Sequence, residues 1–301
     1  MVFESQRIGL LGLGLISGSL ARALRASSWQ GELIGWGPRE PSLARGQALG
    51  VIDRYTLDLQ QLIHSCDMLV IGAPPMATGE LLAKLLPLAE ASAHQPIVTD
   101  LASIKGWVVG QAHHSYSRFV PGHPIAGSEH SGVEASRDDL FAGREVILTP
   151  QQHTDATATA QVCSMWQLTG ARVSEMSLDD HDAALAASSH SPHMVAYALT
   201  MALSKDARNP MQHGGGALRD MTRIAGSDPL MWRDVAITNK DALLHAMTLV
   251  SDELDILRAL IFSDDTAALY DYFNHCRQVR RNHDRVLNPM LDEANKRETK
   301  S

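Results

Sequence analysis

The sequence predicts a doubly wound α/β domain over residues 1–176, followed by an all-α domain over 177–301. Three observations carry that expectation. Short apolar runs alternate with amphipathic stretches through the first half, as strands joined by crossover helices do. A glycine-rich turn, Gly12-Leu13-Gly14-Leu15-Ile16-Ser17, stands where the first apolar run ends. After Ser177 the strand-like runs stop and alanine-rich, helix-prone segments take over. With 301 residues, 45% of them hydrophobic, the chain has apolar material for both cores.

Taken in order, residues 8–11 read as a buried strand and Leu20-Ala21-Arg22-Ala23-Leu24 as the start of a helical pattern. The turn between them has the spacing of GxGxxG. Its first glycine turns tightly, its second admits a pyrophosphate, and its third position lets helix pack on strand. The helix N-terminus then faces the phosphates. Here the third position is Ser17, a small residue with Gly18 beside it. The expectation is a Rossmann-type dinucleotide site built from Gly12, Gly14, Leu15, Ile16 and Ser17. Residues 32–36 read as the second strand, whose end normally carries an acid for the adenosine ribose of NAD. This chain has Gly37-Pro38-Arg39-Glu40 instead. A guanidinium at Arg39 suits the 2′-phosphate of NADP, although Arg39 also reads as a solvated loop charge. The cofactor expected is NAD(P)+, with NADP+ slightly favoured.

Residues 42–49 and 57–64 read as helical, and 68–72 as a strand stopping at Ala73-Pro74, a wall suited to face the cofactor. Residues 80–88 are helical, and the strand 96–100 leads into Ser103 and Lys105. The stretch 120–129 holds His123 between prolines and glycines. Proline fixes φ and glycine frees it, so this segment reads as a shaped loop and not as a strand. Ligands of such a sheet lie at the carboxyl ends of its strands, where Ser103, Lys105 and His123 fall. An imidazole there can exchange a proton near neutral pH; the plain alternative is a turn that happens to hold a histidine. Residues 131–140 read as an irregular flap, 144–149 as a strand, 156–168 as a helix and 172–174 as a closing strand.

In the second half, residues 178–202 read as a helix kinked or restarted at Pro192. His190 and His193, three apart, share a helix face that could look into a cleft, or less readily bind a metal with Asp179, Asp180 or His181. Arg219 and Arg223 stand four apart in a short helix over 218–226, and Ser227-Asp228-Pro229 starts the next by capping. Residues 239–262 and 265–286 read as long amphipathic helices, with a charged tail, 293–301, expected to fray. These apolar stripes have few partners within the half, which predicts a homodimer through the helical domain. The chain has no HExxH, and hydride transfer needs no metal, so no metal is expected.

The formal net charge of -8 argues against a nucleic-acid surface, while leaving room for an anionic small substrate held by local arginines. Three widely spaced cysteines without a CxxC fit thiols in a reducing compartment. The first residues lack the layout of a signal peptide, and the glycine-broken apolar run near the start is too short to span a membrane. A cytoplasmic location is expected.

Four stretches together resemble the prephenate/arogenate dehydrogenase family of tyrosine biosynthesis: Gly12 to Ser19, Asp100 to Lys105, Gly122 to Glu129, and Ser189 to His193 with Arg219 to Ala225. The resemblance implies oxidative decarboxylation, with a hydride leaving ring C4 of prephenate for the nicotinamide. It implies that His123 takes the proton of the C4 hydroxyl, that Ser103 touches that hydroxyl, that Arg223 grips a carboxylate, and that His193 lies in the substrate pocket. A dianionic substrate needs fixed cations, for which Arg219 and Lys105 are further candidates. Arogenate in place of prephenate, or another two-domain NAD(P) oxidoreductase of β-hydroxyacid dehydrogenase type, remain the alternatives among enzymes. A nucleotide-sensing protein without turnover is the alternative of another class.

Overall fold

The apolar runs of the first half are buried on both faces, which strands achieve in a parallel sheet covered by helices. The computed structural model describes residues 3–128 and 130–287; the tail 293–301 and Glu129 lie outside them. In chain order the first elements are β1 (Arg7–Leu11), α1 (Leu15–Ala26), β2 (Glu32–Trp36), α2 (Glu40–Ala48), β3 (Arg54–Thr56), α3 (Leu59–Ser65), β4 (Met68–Ile71), α4 (Pro75–Ala91), β5 (Ile97–Asp100), α5 (Gly106–Gln111) and β6 (Phe119–Val120). The six strands form one parallel sheet in the order β3-β2-β1-β4-β5-β6. Alternate residues of β4 feed opposite cores: Met68 and Val70 pack on one side, Leu69 and Ile71 on the other. The strand order reverses between β1 and β4, and a crevice opens at that switch point beyond their carboxyl ends.

The chain continues through β7 (Gly122–Pro124), β8 (Glu145–Leu148), α6 (Ala156–Leu168) and β9 (Arg172–Glu175). These three strands form a second sheet, β7 antiparallel and β9 parallel to β8. Two expectations are corrected here. The His123 segment is a short strand, not a loop, with His123 opposite Ile147. Strand β9 does not close the large sheet. β7 is an edge strand, where a proline such as Pro124 costs no ladder bond on the outer side. Thr149 N–H donates to Pro121 O (3.0 Å) and Ile125 N–H to Glu145 O (2.8 Å), so the ladder extends past both prolines.

The helical part begins with α7 (Leu178–Leu185), capped by the Ser177 side chain. A π turn, Ala186–His190, runs directly into α8 (Ser191–Ser204). The break expected at Pro192 is thus absorbed one turn early: Pro192 sits in the first turn of α8, where its missing N–H is tolerated, and the widened turn precedes it. Then follow α9 (Gly216–Thr222), a 3₁₀ turn at Arg223–Gly226, α10 (Pro229–Thr238) and α11 (Lys240–Phe262). The Asp228 carboxylate accepts from the Leu230 and Met231 N–H groups, so the expected cap is present.

The chain divides into two compact units, Met1–Ala246 and Met247–Ser301. The second holds the rest of α11, then α12 (Thr266–Asn282) and α13 (Asp284–Leu287). Within it Tyr272 donates to Glu253 (2.8 Å). Leu254, Ile261, Phe273 and, at 91% exposure, Phe262 lie open on the single chain. No described helix is long and apolar enough to cross a membrane.

Candidate active site

The glycine turn has the shape its spacing implies. Gly12 stands at φ +93°, and a side chain there would meet the Gly72 carbonyl at 2.6 Å. Its N–H donates to Trp36 O (2.9 Å), pinning the turn to the end of β2. Gly14 precedes α1 with open space where a Cβ would stand, and no side chain caps the helix. The first N–H groups of α1 therefore face a cavity and suit an anion. Ser17 fits the third position because Gly72 follows β4: a Cβ at Gly72 would lie 1.7 Å from Ser17 Oγ. That hydroxyl is buried without a protein partner. These residues fit the pyrophosphate of a dinucleotide.

A cavity of about 570 Å³ runs from this turn to the helical part of the same unit. It is in the size range of small-molecule sites, roughly 300–1,000 Å³. Gly14, Leu15, Ile16, Ser17, Ala73 and Pro74 line one side. Ser103, His123, His190, His193, Arg223 and Trp232 also line it. Of the residues singled out in the sequence, the fold brings most to one space. It leaves four off the wall. Gly12 shapes the turn from behind. Arg39 is exposed beyond β2. Arg219 is exposed and bonded to Asp220 (3.2 Å), so the pair expected to act together is split, with Arg223 alone on the cavity wall.

Lys105 is the clearest correction. Its side chain is 0% exposed. The ammonium bonds to the Asp100 carboxylate and donates to Gly122 O (2.7 Å). Burial pulls its pKa down, with Asp100 acting the other way. A buried charge needs its partner, so Lys105 is a strut between the end of β5 and the residue before His123, not a substrate contact.

His123 is 8% exposed. Its Nδ1 lies 2.9 Å from His181 Nε2, which leaves Nε2 as the nitrogen open to a ligand. Burial, then His181, Lys105 and His190, hold its pKa well below the ordinary 6.5. The ring is neutral at pH 7 and able to accept a proton. His190 is wired differently. Asn239 Nδ2 donates to Asp182 O (2.9 Å) and faces His190 Nδ1 at 3.3 Å. A carbonyl accepts only, so the amide nitrogen is the group on that side, and His190 Nδ1 is an acceptor. Its Nε2 is then an N–H donor, and it has no protein partner. Burial brings the His190 pKa down to about 4. His193 is stacked on Trp232, ring centres 3.6 Å apart and planes at 22°. Burial lowers its pKa too, the Ser189 carbonyl opposing and Arg223 adding to the effect. Sequence reasoning noted the shared face of His190 and His193 and weighed His181 only as a metal ligand, and it gave Asp182, Trp232 and Asn239 no part in the active site. Their link to it is purely spatial. Among the described residues no three His, Cys, Asp or Glu side chains are grouped to hold a metal ion.

Two family descriptions match the chain: "Prephenate dehydrogenase, nucleotide-binding domain" over residues 20–175 and "Prephenate dehydrogenase, dimerization domain" over 177–275. The chain belongs to the prephenate dehydrogenase family. Among its relatives, the cyclohexadienyl dehydrogenase of Zymomonas mobilis is 34% identical over 91% of this chain and 95% of its own. The prephenate dehydrogenase of Bacillus subtilis is 34% identical over 90% of this chain and 74% of its own. A crystal structure of prephenate dehydrogenase from A. aeolicus, in complex with hydroxyphenyl propionate and NAD+, superposes with a TM-score of 0.86 at 34% identity. That match covers 93% of this chain and 98% of the other. The resemblance seen in the motifs is therefore family membership, which sets aside the β-hydroxyacid dehydrogenase alternative.

Proposed function

We propose that this protein oxidises prephenate to 4-hydroxyphenylpyruvate and CO2, with the hydride passing to NAD(P)+. The observation that carries the reading is His123: a neutral imidazole with one free ring nitrogen, on the wall of the cavity that also receives the glycine turn. When bound, the nicotinamide supplies the hydride acceptor. The chain's own residues do the rest. His123 Nε2 takes the hydroxyl proton as the C4 carbon–oxygen bond becomes a carbonyl, a contribution of roughly 10²–10⁴-fold. Ser103, on the same wall, holds that hydroxyl. Arg223 binds a carboxylate, and His193, held flat against Trp232, borders the ring. Loss of the ring carboxylate as CO2 gives an aromatic product and drives the reaction forward.

Two finer readings accompany this one. Glu40, the acid nearest the end of β2, is bonded by the Tyr55 hydroxyl (3.1 Å), which leaves Arg39 as the group suited to an adenosine ribose phosphate and supports NADP+. The open apolar side chains of α11 and α12 support a homodimer, in a reducing compartment suited to the unpaired Cys66, Cys163 and Cys276. We assign nucleotide binding to residues 1–176 and the remaining substrate contacts, with dimerisation, to 177–301. The test is reduced-cofactor formation with prephenate or arogenate, each paired with NAD+ or NADP+. Turnover of prephenate is expected, faster with NADP+. No turnover of prephenate with either cofactor overturns the assignment, and arogenate turnover alone replaces the substrate.

A further inference from the structure

The nitrogen of His123 that faces away from the cavity leads into a chain of three groups. His123 Nδ1 lies 2.9 Å from His181 Nε2, and His181 Nδ1 lies 2.8 Å from Asp182 Oδ1. His181 is 0% exposed and the Asp182 side chain 14% exposed, so water does not compete for these bonds. The same carboxylate accepts from the backbone N–H of Lys105 (2.9 Å, at Oδ1) and of Gly106 (2.8 Å, at Oδ2). We propose that Asp182 and His181 are positioning residues that lock His123 in its Nδ1–H tautomer and so keep Nε2 a bare acceptor toward substrate. The proposal rests on His123 being the base.

The assignment follows from what each atom can do. An ionised carboxylate accepts only. Three donors converge on Asp182, so His181 Nδ1 carries a hydrogen. Burial works to raise the Asp182 pKa, but the bonds from His181, Lys105 and Gly106 outweigh it and the net shift is downward; the carboxylate is therefore ionised at pH 7. With its one hydrogen given to the carboxylate from Nδ1, the His181 ring has a lone pair on Nε2. The group facing that lone pair must donate, so His123 Nδ1 carries the hydrogen and His123 Nε2 does not. In the opposite tautomer His123 would present an N–H to the substrate hydroxyl and could not take its proton. During the reaction the substrate O–H bond breaks, a new N–H forms at Nε2, and the Nδ1 hydrogen stays in place. The positive charge on His123 then faces the His181 ring, which the Asp182 carboxylate backs.

Asp182 also anchors the second imidazole. Its backbone carbonyl holds Asn239, which sets His190 as an Nε2–H donor. One residue thus wires two histidines of a single cavity in opposite senses, one to accept and one to donate.

The test combines a spectroscopic reading with kinetics. Nitrogen-15 signals of the ring nitrogens distinguish the two tautomers, and His123→Asn identifies the His123 signal. The wild-type signal at neutral pH is expected to be that of an Nδ1–H ring, and in His181→Leu that preference is lost. His181→Leu is expected to lower kcat by about 10²-fold to 10⁴-fold. Substrate KM and cofactor Kd stay within about threefold, because His181 touches neither ligand and the split isolates the reacting proton. His181→Gln, whose side-chain oxygen can accept the Nδ1 hydrogen, recovers part of the loss. Asp182→Asn should follow His181→Leu; if it fails to fold because the clamp on Lys105 and Gly106 is weakened, His181→Leu still decides, since it leaves that clamp whole. An Nε2–H ring in the wild type, or His181→Leu turnover within threefold of it, overturns the proposal. If His123→Asn turns over at the wild-type rate, it is the base assignment that fails; an inactive His123→Asn beside a fully active His181→Leu removes the positioning chain alone.

Discussion

The strand-end wall of the cavity and its helical wall hold their functional groups by different means. On the strand side the backbone does the work: Gly12 at φ +93°, the open position at Gly14, and the uncapped start of α1. On the helical side each group is a side chain held by a specific neighbour. His181 leans on Asp182, Asn239 on the Asp182 carbonyl, and His193 on Trp232. His123 joins the two, on a strand by position and tied to α7 by its ring. Backbone shape tolerates side-chain exchange nearby, whereas a side-chain relay is lost with any one member. Variants on the two walls should therefore fail differently.

Lys105→Ala attacks the strand side at its buried strut and is the largest structural test. It strands the Asp100 carboxylate, and breaking such a buried pair costs about 3–5 kcal/mol. Thermal unfolding should fall by about 6–20 °C at roughly 2–4 °C per kcal/mol, with substrate KM unchanged in the protein that remains folded. A raised KM at unchanged stability would return Lys105 to the substrate's surroundings.

Acid should weaken the helical side next. His123, His190 and His193 all have folded-state pKa values below the ordinary 6.5. The unfolded chain takes up protons at these rings as pH falls through about 6.5, and the folded chain resists until lower pH. Stability is therefore full above about 6.5 and drains as pH falls toward the folded values. For His190, held down to about 4, the loss by that pH is on the order of 3 kcal/mol. Denaturant midpoints between pH 7 and 4.5 measure it; a flat profile would show these rings to be open to water.

The two arginines sharpen the contrast at the smallest scale. Arg223 lines the cavity and Arg219 does not. Losing a charge-assisted bond of about 1.5–3 kcal/mol should raise substrate KM roughly 10-fold to 100-fold in Arg223→Ala. Arg219→Ala removes only an exposed pair with Asp220, 77% and 70% exposed, and should change KM less than about threefold. Equal effects, read from steady-state kinetics, would mean that the substrate reaches both.

The same contrast explains what could be read from the amino-acid order. The Rossmann half was legible because its signals are local: apolar runs, a glycine turn, and proline stops each fall within a few residues. Even there the second sheet was missed, since Pro121 and Pro124 speak for a loop when considered locally, while pairing with Ile147 of β8, far along the chain, makes His123 part of a strand. On the helical side, helix positions and the capping stretch Ser227-Asp228-Pro229 were legible. The connections that give His181 and Asp182 a role span 58 residues from His123 to His181 and 77 from Lys105 to Asp182, and no periodicity encodes them. Lys105 was misplaced for a related reason. Its position at a strand's end is shared with Ser103, and only the packing shows that one side chain turns inward to Asp100 and the other lines the cavity.

The most direct test of the account is the pH dependence of kcat/KM for prephenate in the wild type and in His123→Asn. The wild type should lose activity on the acid side with an apparent pKa below 6.5, and His123→Asn should be slower by roughly 10²–10⁴-fold, with that acid limb gone and cofactor affinity unchanged. A His123→Asn enzyme of near wild-type rate that keeps the same acid limb would contradict it.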